Sequence, residues 1–279
     1  MKALDVMKRS FRTALANRRL WLFGFFVAAA SSGSGGGDAG ASAPAAGAPA
    51  AEIPAWVVPV IVAAAIVALA GLAMHVISEA ALIDGVGGGR PETYRFRQGL
   101  RAGGHCFLRV LGLKALRGLV TALSLAVAAT PAVLGALGAI PLWIGIAATL
   151  PLILFAVPWL LTLHFLYEYA LRYAVLDGAG AIAAIRLAED HLHGRIGESL
   201  VLLCVSLLGV PASGAAMALA AIPCAAVGVG VFFAAGPIAG IATGAALLLP
   251  FAICILGALG TYRSSVWTLG FLEAEGASA

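Results

Sequence analysis

A chain of 279 residues that is 62% hydrophobic and only 11% charged, with a mean hydropathy of +1.02, has too little polar surface to coat a water-soluble globule; soluble domains carry about 25% charged residues. The formal net charge of +4 is carried by Lys and Arg clustered at 1–19 and 90–117, with a thinner set at 172–195 and a last Arg263. Clusters of this kind flank membrane spans, and nucleic-acid binding is excluded because no soluble module presents a basic face.

Residues 3–19 are amphipathic at helical period. Leu4, Met7, Phe11 and Leu15 share one face, Arg9, Arg12 and Arg19 lie toward the other, and Lys8 sits at the edge. A basic helix of this kind lies along a membrane surface with its apolar face down. Arg18 and Arg19 then meet the run LWLFGFFVAAA, shorter than the ~20 residues that a bilayer needs. It spans if the helix continues through 31–35, and otherwise enters part way. A cleaved signal peptide is the rival reading, with a faint twin-arginine flavour at Asn17-Arg18-Arg19. Its basic region would be unusually long, however, and would contain Asp5. Residues 31–52 are low-complexity Gly, Ala, Ser and Pro without Lys or Arg, which reads as a flexible external loop.

Pro54 opens a second span running to about residue 83, with Trp56 at its outer end and His75, Glu79 and Asp84 at its inner end. The glycines of 85–89 break the helix. A second surface-lying basic region follows, with Arg95, Arg97 and Arg101 set against Phe96 and Leu100. It breaks at Gly103–Gly104 and resumes with Arg109, Lys114 and Arg117. It feeds a span at 116–137 that carries Pro131, then a tight uncharged turn at 138–141. The fourth span starts near Trp143, passes Pro151 and Pro158, where a kink is allowed, and ends in His164–Gly178. Residues 181–193 form a third amphipathic piece, with Ile182, Ile185 and Leu192 on one face and Arg186 and Asp190 on another. Residues 199–262 hold no charge and suit two spans with a turn in 228–237. With six spans and both termini cytoplasmic, all 17 Lys and Arg fall on the cytoplasmic side or its interface, and the three external segments hold none.

The expected fold is therefore an all-α integral membrane bundle of about six transmembrane helices plus amphipathic interfacial helices, in one polytopic domain. Three parallel two-span units read at about 3–84, 90–178 and 180–272. The first two end in the same pattern, His-x-x-x-Glu-x-Ala-Leu, at His75–Leu82 and His164–Leu171, and each reaches an Asp-Gly soon after.

A surface helix leading into Arg-Leu-Trp-Leu-Phe-Gly-Phe-Phe at 19–26, a Gly-rich first loop, and Tyr-Ala-Leu-Arg-Tyr-Ala-Val-Leu-Asp-Gly at 169–178 together resemble uncharacterised six-span bacterial membrane proteins. These include the membrane domain sometimes fused to glycerophosphodiester phosphodiesterases. The resemblance spans most of the chain and implies a bacterial plasma (inner) membrane location and an all-helical fold. It implies no activity, because the chain contains no phosphodiesterase catalytic domain.

His75/Glu79 and His164/Glu168 are each i, i+4 pairs on one helix face, and all four together would make an acceptable zinc set. The plainer reading places each pair at the inner headgroup boundary, paired with Arg172 or nearby cations. A proton or substrate pathway is a third use. Neither the Glu-Glu-x-x-x-Arg pattern of prenyl proteases nor His-Glu-x-x-His occurs. His191 and His193 point apart at i, i+2, and His105-Cys106 has no second ligand pair at metal-site spacing. Cys106, Cys204, Cys224 and Cys254 read as free, buried thiols. Gly236, Gly240 and Gly244 form a small-residue ridge for helix packing, within the bundle or in a homo-oligomer. No phosphate loop, nucleophile elbow or redox cofactor site is present, so no cofactor is expected. The basic set Lys8, Arg9, Arg12, Arg18, Arg19, Arg95, Arg97, Arg101, Arg109, Lys114 and Arg117 is expected to face anionic inner-leaflet lipid. Three functions remain in play: a non-enzymatic membrane scaffold or envelope-associated factor, a transporter of a small molecule, lipid or ion, and a membrane metalloenzyme.

Overall fold

The computed structural model describes residues 3–33, 56–88 and 94–276, which are helical almost throughout and contain no strand. In chain order the helices are α1 (Ala3–Ala16), α2 (Leu20–Gly33), α3 (Val57–Gly87), α4 (Phe96–Ala136), α5 (Leu142–Leu176), α6 (Ala181–Leu192), α7 (Ile196–Ala235) and α8 (Pro237–Gly276). Five of them, α3, α4, α5, α7 and α8, are long and apolar enough to cross a membrane. This is the make-up of a multi-pass membrane protein. The expected external loop lies outside the described residues, apart from 31–33, which close α2.

These five helices have 31 to 41 residues. At a rise of ~1.5 Å per residue each is longer than a ~30 Å hydrocarbon core. Burial divides that length. In α3, residues 58–72 are exposed while Val76 and Ala80–Ile83 are buried. In α5, most residues from Leu142 to Thr162 are exposed or half-exposed while Phe165 and 169–174 are buried. In α8, Ile238, Ile241 and Phe251 are exposed while Val266, Trp267 and Phe271 are buried. Each of these three helices thus has an apolar arm suited to lipid and a charged, packed end.

The described chain divides into two compact units. The first takes residues up to 104 together with 204–272. Its α1–α2 corner is pinned twice: the Asn17 side chain accepts from Arg19 N at 3.0 Å, as an N-cap, and Trp21 Nε1 donates to the Ala14 carbonyl at 2.6 Å. Leu20 and Phe23 of α2 pack with Ala81 and Leu82 of α3. Gly24 crosses α8 so closely that a Cβ there would run into the Gly257 carbonyl, and one on Gly260 would strike Gly24 in turn. Thr261 Oγ1 sits at this crossing, its one proton shared between the Gly257 carbonyl of its own helix at 2.8 Å and the Leu20 carbonyl at 3.2 Å.

One expectation changes here. Helix α4 runs unbroken through Gly103–Gly104, so there is no interfacial helix followed by a break. A glycine inside a helix costs only about 1 kcal/mol, and Gly103 lies where a side chain would collide with the Ile77 carbonyl, so its lack of a Cβ permits packing on α3. Helix α1 buries Val6, Ser10 and Ala14 against the protein and leaves exposed Leu4, Phe11 and Leu15, which belong to the face expected to lie on the membrane. The described part of α2 has 14 residues, about 21 Å of helix, so six full-length spans are not seen among the described residues.

The second unit takes residues 105–203 and those from 273 onward. The α4–α5 hairpin turns at Gly138, whose φ of 76° requires glycine. It closes tightly, since a Cβ on Gly145 would lie 2.6 Å from the Pro131 carbonyl oxygen. Helix α6 buries Ala184, Ala188 and Leu192, at i, i+4 and i+8. Ile182, expected on that face, is exposed, because the close packing is made by alanines. Of the four free thiols, Cys106 and Cys224 are buried but Cys204 and Cys254 are exposed. An apolar helix face need not be a protein-covered one.

Candidate functional site

The densest polar constellation lies at the charged end of α5, in the second unit. Arg172 and Glu168 form an i, i+4 ion pair, with side-chain exposures of 2% and 16%. Nη1 of Arg172 donates both to the Glu168 carboxylate and to the Glu168 backbone carbonyl. One turn earlier, His164 Nδ1 accepts from Arg117 Nη2 at 3.4 Å. The Arg117 guanidinium sits 4.4 Å above the Tyr167 ring, and Lys114 Nζ lies 5.9 Å from the same ring. The electron-rich face of the phenol thus shelves two cations at an apolar boundary.

On the α6 and α7 side, Tyr169 shares a 2.9 Å hydrogen bond with Ser199, and Tyr173 a 3.2 Å hydrogen bond with His191 Nδ1. The His191 ring packs 4.6 Å from that of Tyr169. Burial, and then the nearby Arg195 charge, hold His191 below its ordinary pKa. Arg195 Nη1 also donates to the Ala274 carbonyl at 2.9 Å. The Tyr-Glu-Tyr-Ala-Leu-Arg-Tyr run at 167–173 is the sequence signal for this cluster, and its tyrosines carry as much of it as Glu168 and Arg172. The Glu168–Arg172 pair neutralises itself, which is the chemistry of an anchor more than of a nucleophile or a metal centre.

The matching end of α3, in the first unit, is built otherwise. His75 Nδ1 donates to the Phe26 carbonyl at 3.3 Å. Asp84 accepts from the Tyr94 hydroxyl at 2.7 Å, and burial, followed by this hydrogen bond and then the Asp84 charge, pushes the Tyr94 pKa up. The two Asp-Gly pairs are not equivalent. Gly178 has a φ of 69° and ends α5, with Ala179 N returning to the Tyr173 carbonyl at 3.2 Å. Gly85 is buried inside α3. Among the described residues, no three His, Cys, Asp or Glu side chains form a group that would hold a metal ion.

The basic residues divide by burial. Lys8, Arg9, Arg12, Arg18, Arg19, Arg95, Arg97 and Arg101 are exposed, whereas Arg109, Lys114 and Arg117 are half-buried. The glycine ridge also splits. A Cβ on Gly240 would lie 2.7 Å from the Gly228 carbonyl oxygen of α7, and one on Gly244 would sit 3.7 Å from Gly228 Cα, so both pack α8 on α7. Gly236 belongs to the turn between those helices, not to the ridge. Its φ of 96° is what demands glycine there. No family model, no curated protein and no solved structure matches the chain.

Proposed function

We propose that the protein is a non-enzymatic scaffold or envelope-associated factor of the bacterial plasma membrane, with both termini cytoplasmic and its basic segments set against anionic inner-leaflet lipid. The observation that carries this reading is the division of α3, α5 and α8 into an exposed apolar arm and a packed charged end, with eight exposed cations in α1, the α1–α2 corner and around the start of α4. The sixth crossing in this layout rests on α2 and the segment that follows it. The resemblance to six-span bacterial membrane proteins fits the same layout. A transporter is the second reading, favoured by Glu168, Arg172 and His164 lying on a helix long enough to span, since ionisable groups in such helices mark pathways. The metalloenzyme reading gains no support.

The test is topological. Reporter fusions at Gly40 and Ala279 are expected to report opposite sides, external and cytoplasmic respectively. A cytoplasmic Gly40 overturns the layout. Substrate flux into proteoliposomes that is abolished by Arg172→Met would replace the scaffold reading with transport.

A further inference from the structure

Within the first unit, a groove of about 710 Å³ runs between α1 and the facing parts of α7 and α8. That volume lies in the ~300–1,000 Å³ range of small-molecule sites. Its walls are apolar: Phe11 and Leu15 from α1, Leu208, Ala212 and Ala216 from α7, and Leu259 from α8. Two cations, Lys8 and Arg12, complete the α1 side. We propose that this groove holds one anionic phospholipid, its phosphate on Lys8 and Arg12 and an acyl chain along α7 and α8. The proposal rests on the membrane reading above and names a discrete ligand site within it.

Four observations carry it. Gly209, Ala212, Ser213 and Ala216 fall at i, i+3, i+4 and i+7, so one face of α7 is pared down where the groove passes. Ser213 makes no polar demand on an occupant, because its hydroxyl donates to the Val210 carbonyl at 2.8 Å. The groove lies where the packed end gives way to the arms: Tyr262 is buried and tied to the Val205 carbonyl at 2.9 Å, while Leu219 of α7 and Leu249 of α8 are exposed. An acyl chain lying there continues into the surface that lipid already wets. Finally, α1 does not close its own side, since Phe11 is 58% exposed while the face packed on the protein is Val6, Ser10 and Ala14. An apolar trough with cations on one edge matches an amphiphile with an anionic head. A helix from a second copy would bury Lys8 and Arg12 without a counter-charge.

The full-length protein, purified in mild detergent, is equilibrated with an equimolar mixture of phosphatidylglycerol and phosphatidylcholine of identical acyl chains, and retained lipid is counted by native mass spectrometry. One phosphatidylglycerol per chain is expected to be retained in preference to phosphatidylcholine. Lys8→Ala with Arg12→Ala is expected to lower that preference about 30-fold, or about 2 kcal/mol. Ala212→Trp fills the trough and is expected to lower retention of both lipids. Ser213→Phe replaces it if that variant is not monodisperse. Arg95→Ala with Arg97→Ala leaves the single retained lipid in place, which separates a site from general attraction of basic helices. Equal retention of the two lipids, wild-type retention in the groove variants, or a dimer that Ala212→Trp dissociates would overturn the proposal. A cytoplasmic Gly40 would sink the functional reading while leaving this lipid count readable.

Discussion

The charged ends of α3 and α5 share a sequence pattern and differ in what surrounds it. At the end of α5, Glu168 has its own cation one turn away, His164 accepts from Arg117, and α6 packs Ala184, Ala188 and Leu192 beside the buried residues. At the end of α3, His75 bonds to backbone, Asp84 is held by a phenol, and the helix runs straight through its Asp-Gly. The pattern fixes spacing on a helix face, and the neighbouring helices decide what each group does. A sequence echo is thus evidence for a shared helix end and not for a shared site.

Substitutions at both helix ends and one pH titration test this contrast. The largest effect is expected for Arg172→Ala, which strands Glu168 in a mostly buried environment; a loss of about 3–5 kcal/mol is expected in a denaturation series in detergent. The double variant Glu168→Gln, Arg172→Met should recover most of that loss. A loss below about 1 kcal/mol for the single variant would mean that water, not Arg172, balances the carboxylate. At the other end, Tyr94→Phe removes a hydrogen bond to a carboxylate and is expected to cost about 1.5–3 kcal/mol by the same assay.

The two glycines should part company. Gly178→Ala forces a left-handed residue and is expected to cost about 1–2 kcal/mol. Gly85→Ala gains about 1 kcal/mol of helix propensity against a Cβ 3.1 Å from the Tyr94 ring, and should be near neutral. Equal melting shifts would remove the distinction drawn between the two corners. The smallest effect is a pH slope. His191 binds its proton less readily when folded than at its ordinary value of 6.5. The unfolded chain therefore takes up that proton first as pH falls. Stability should drop as pH goes from 6.5 down through the lowered folded value, then level off. His191→Gln should flatten that slope, and an unchanged profile would show that another group carries it.

Helix class, the apolar lengths and both tight turns were legible in the sequence. Gly138 marks its turn because no other residue takes a positive φ cheaply, whereas Gly236, within the expected 228–237 turn, also fits the spacing of a packing ridge, and only its φ assigns it to the turn. Other features depend on neighbours that periodicity does not see. Gly103 looked like a break because glycine is a weak helix former, but the closeness of Ile77 settles its role. Leu4, Phe11 and Leu15 stay exposed because, in a chain made for lipid, an apolar face can be the one the protein leaves uncovered. The Ala184–Ala188 stripe shows the reverse, since small side chains give a weak hydrophobic signal while allowing the closest packing. At the α5 end, His164, Glu168 and Arg172 stand out as ionisable groups in an apolar run, whereas the roles of Tyr167, Tyr169 and Tyr173 do not, because aromatics are ordinary at membrane boundaries.

The crossing of α2 on α8 at Gly24, Gly257 and Gly260 bears on biosynthesis. The Thr261–Leu20 hydrogen bond joins residues 241 positions apart. Helix α2 leaves the ribosome early and must then wait, its glycine face open, until the last long helix is made. Its docking is a late event in insertion by construction, so a stalled or truncated chain exposes that glycine face to whatever machinery surveys unfinished membrane proteins.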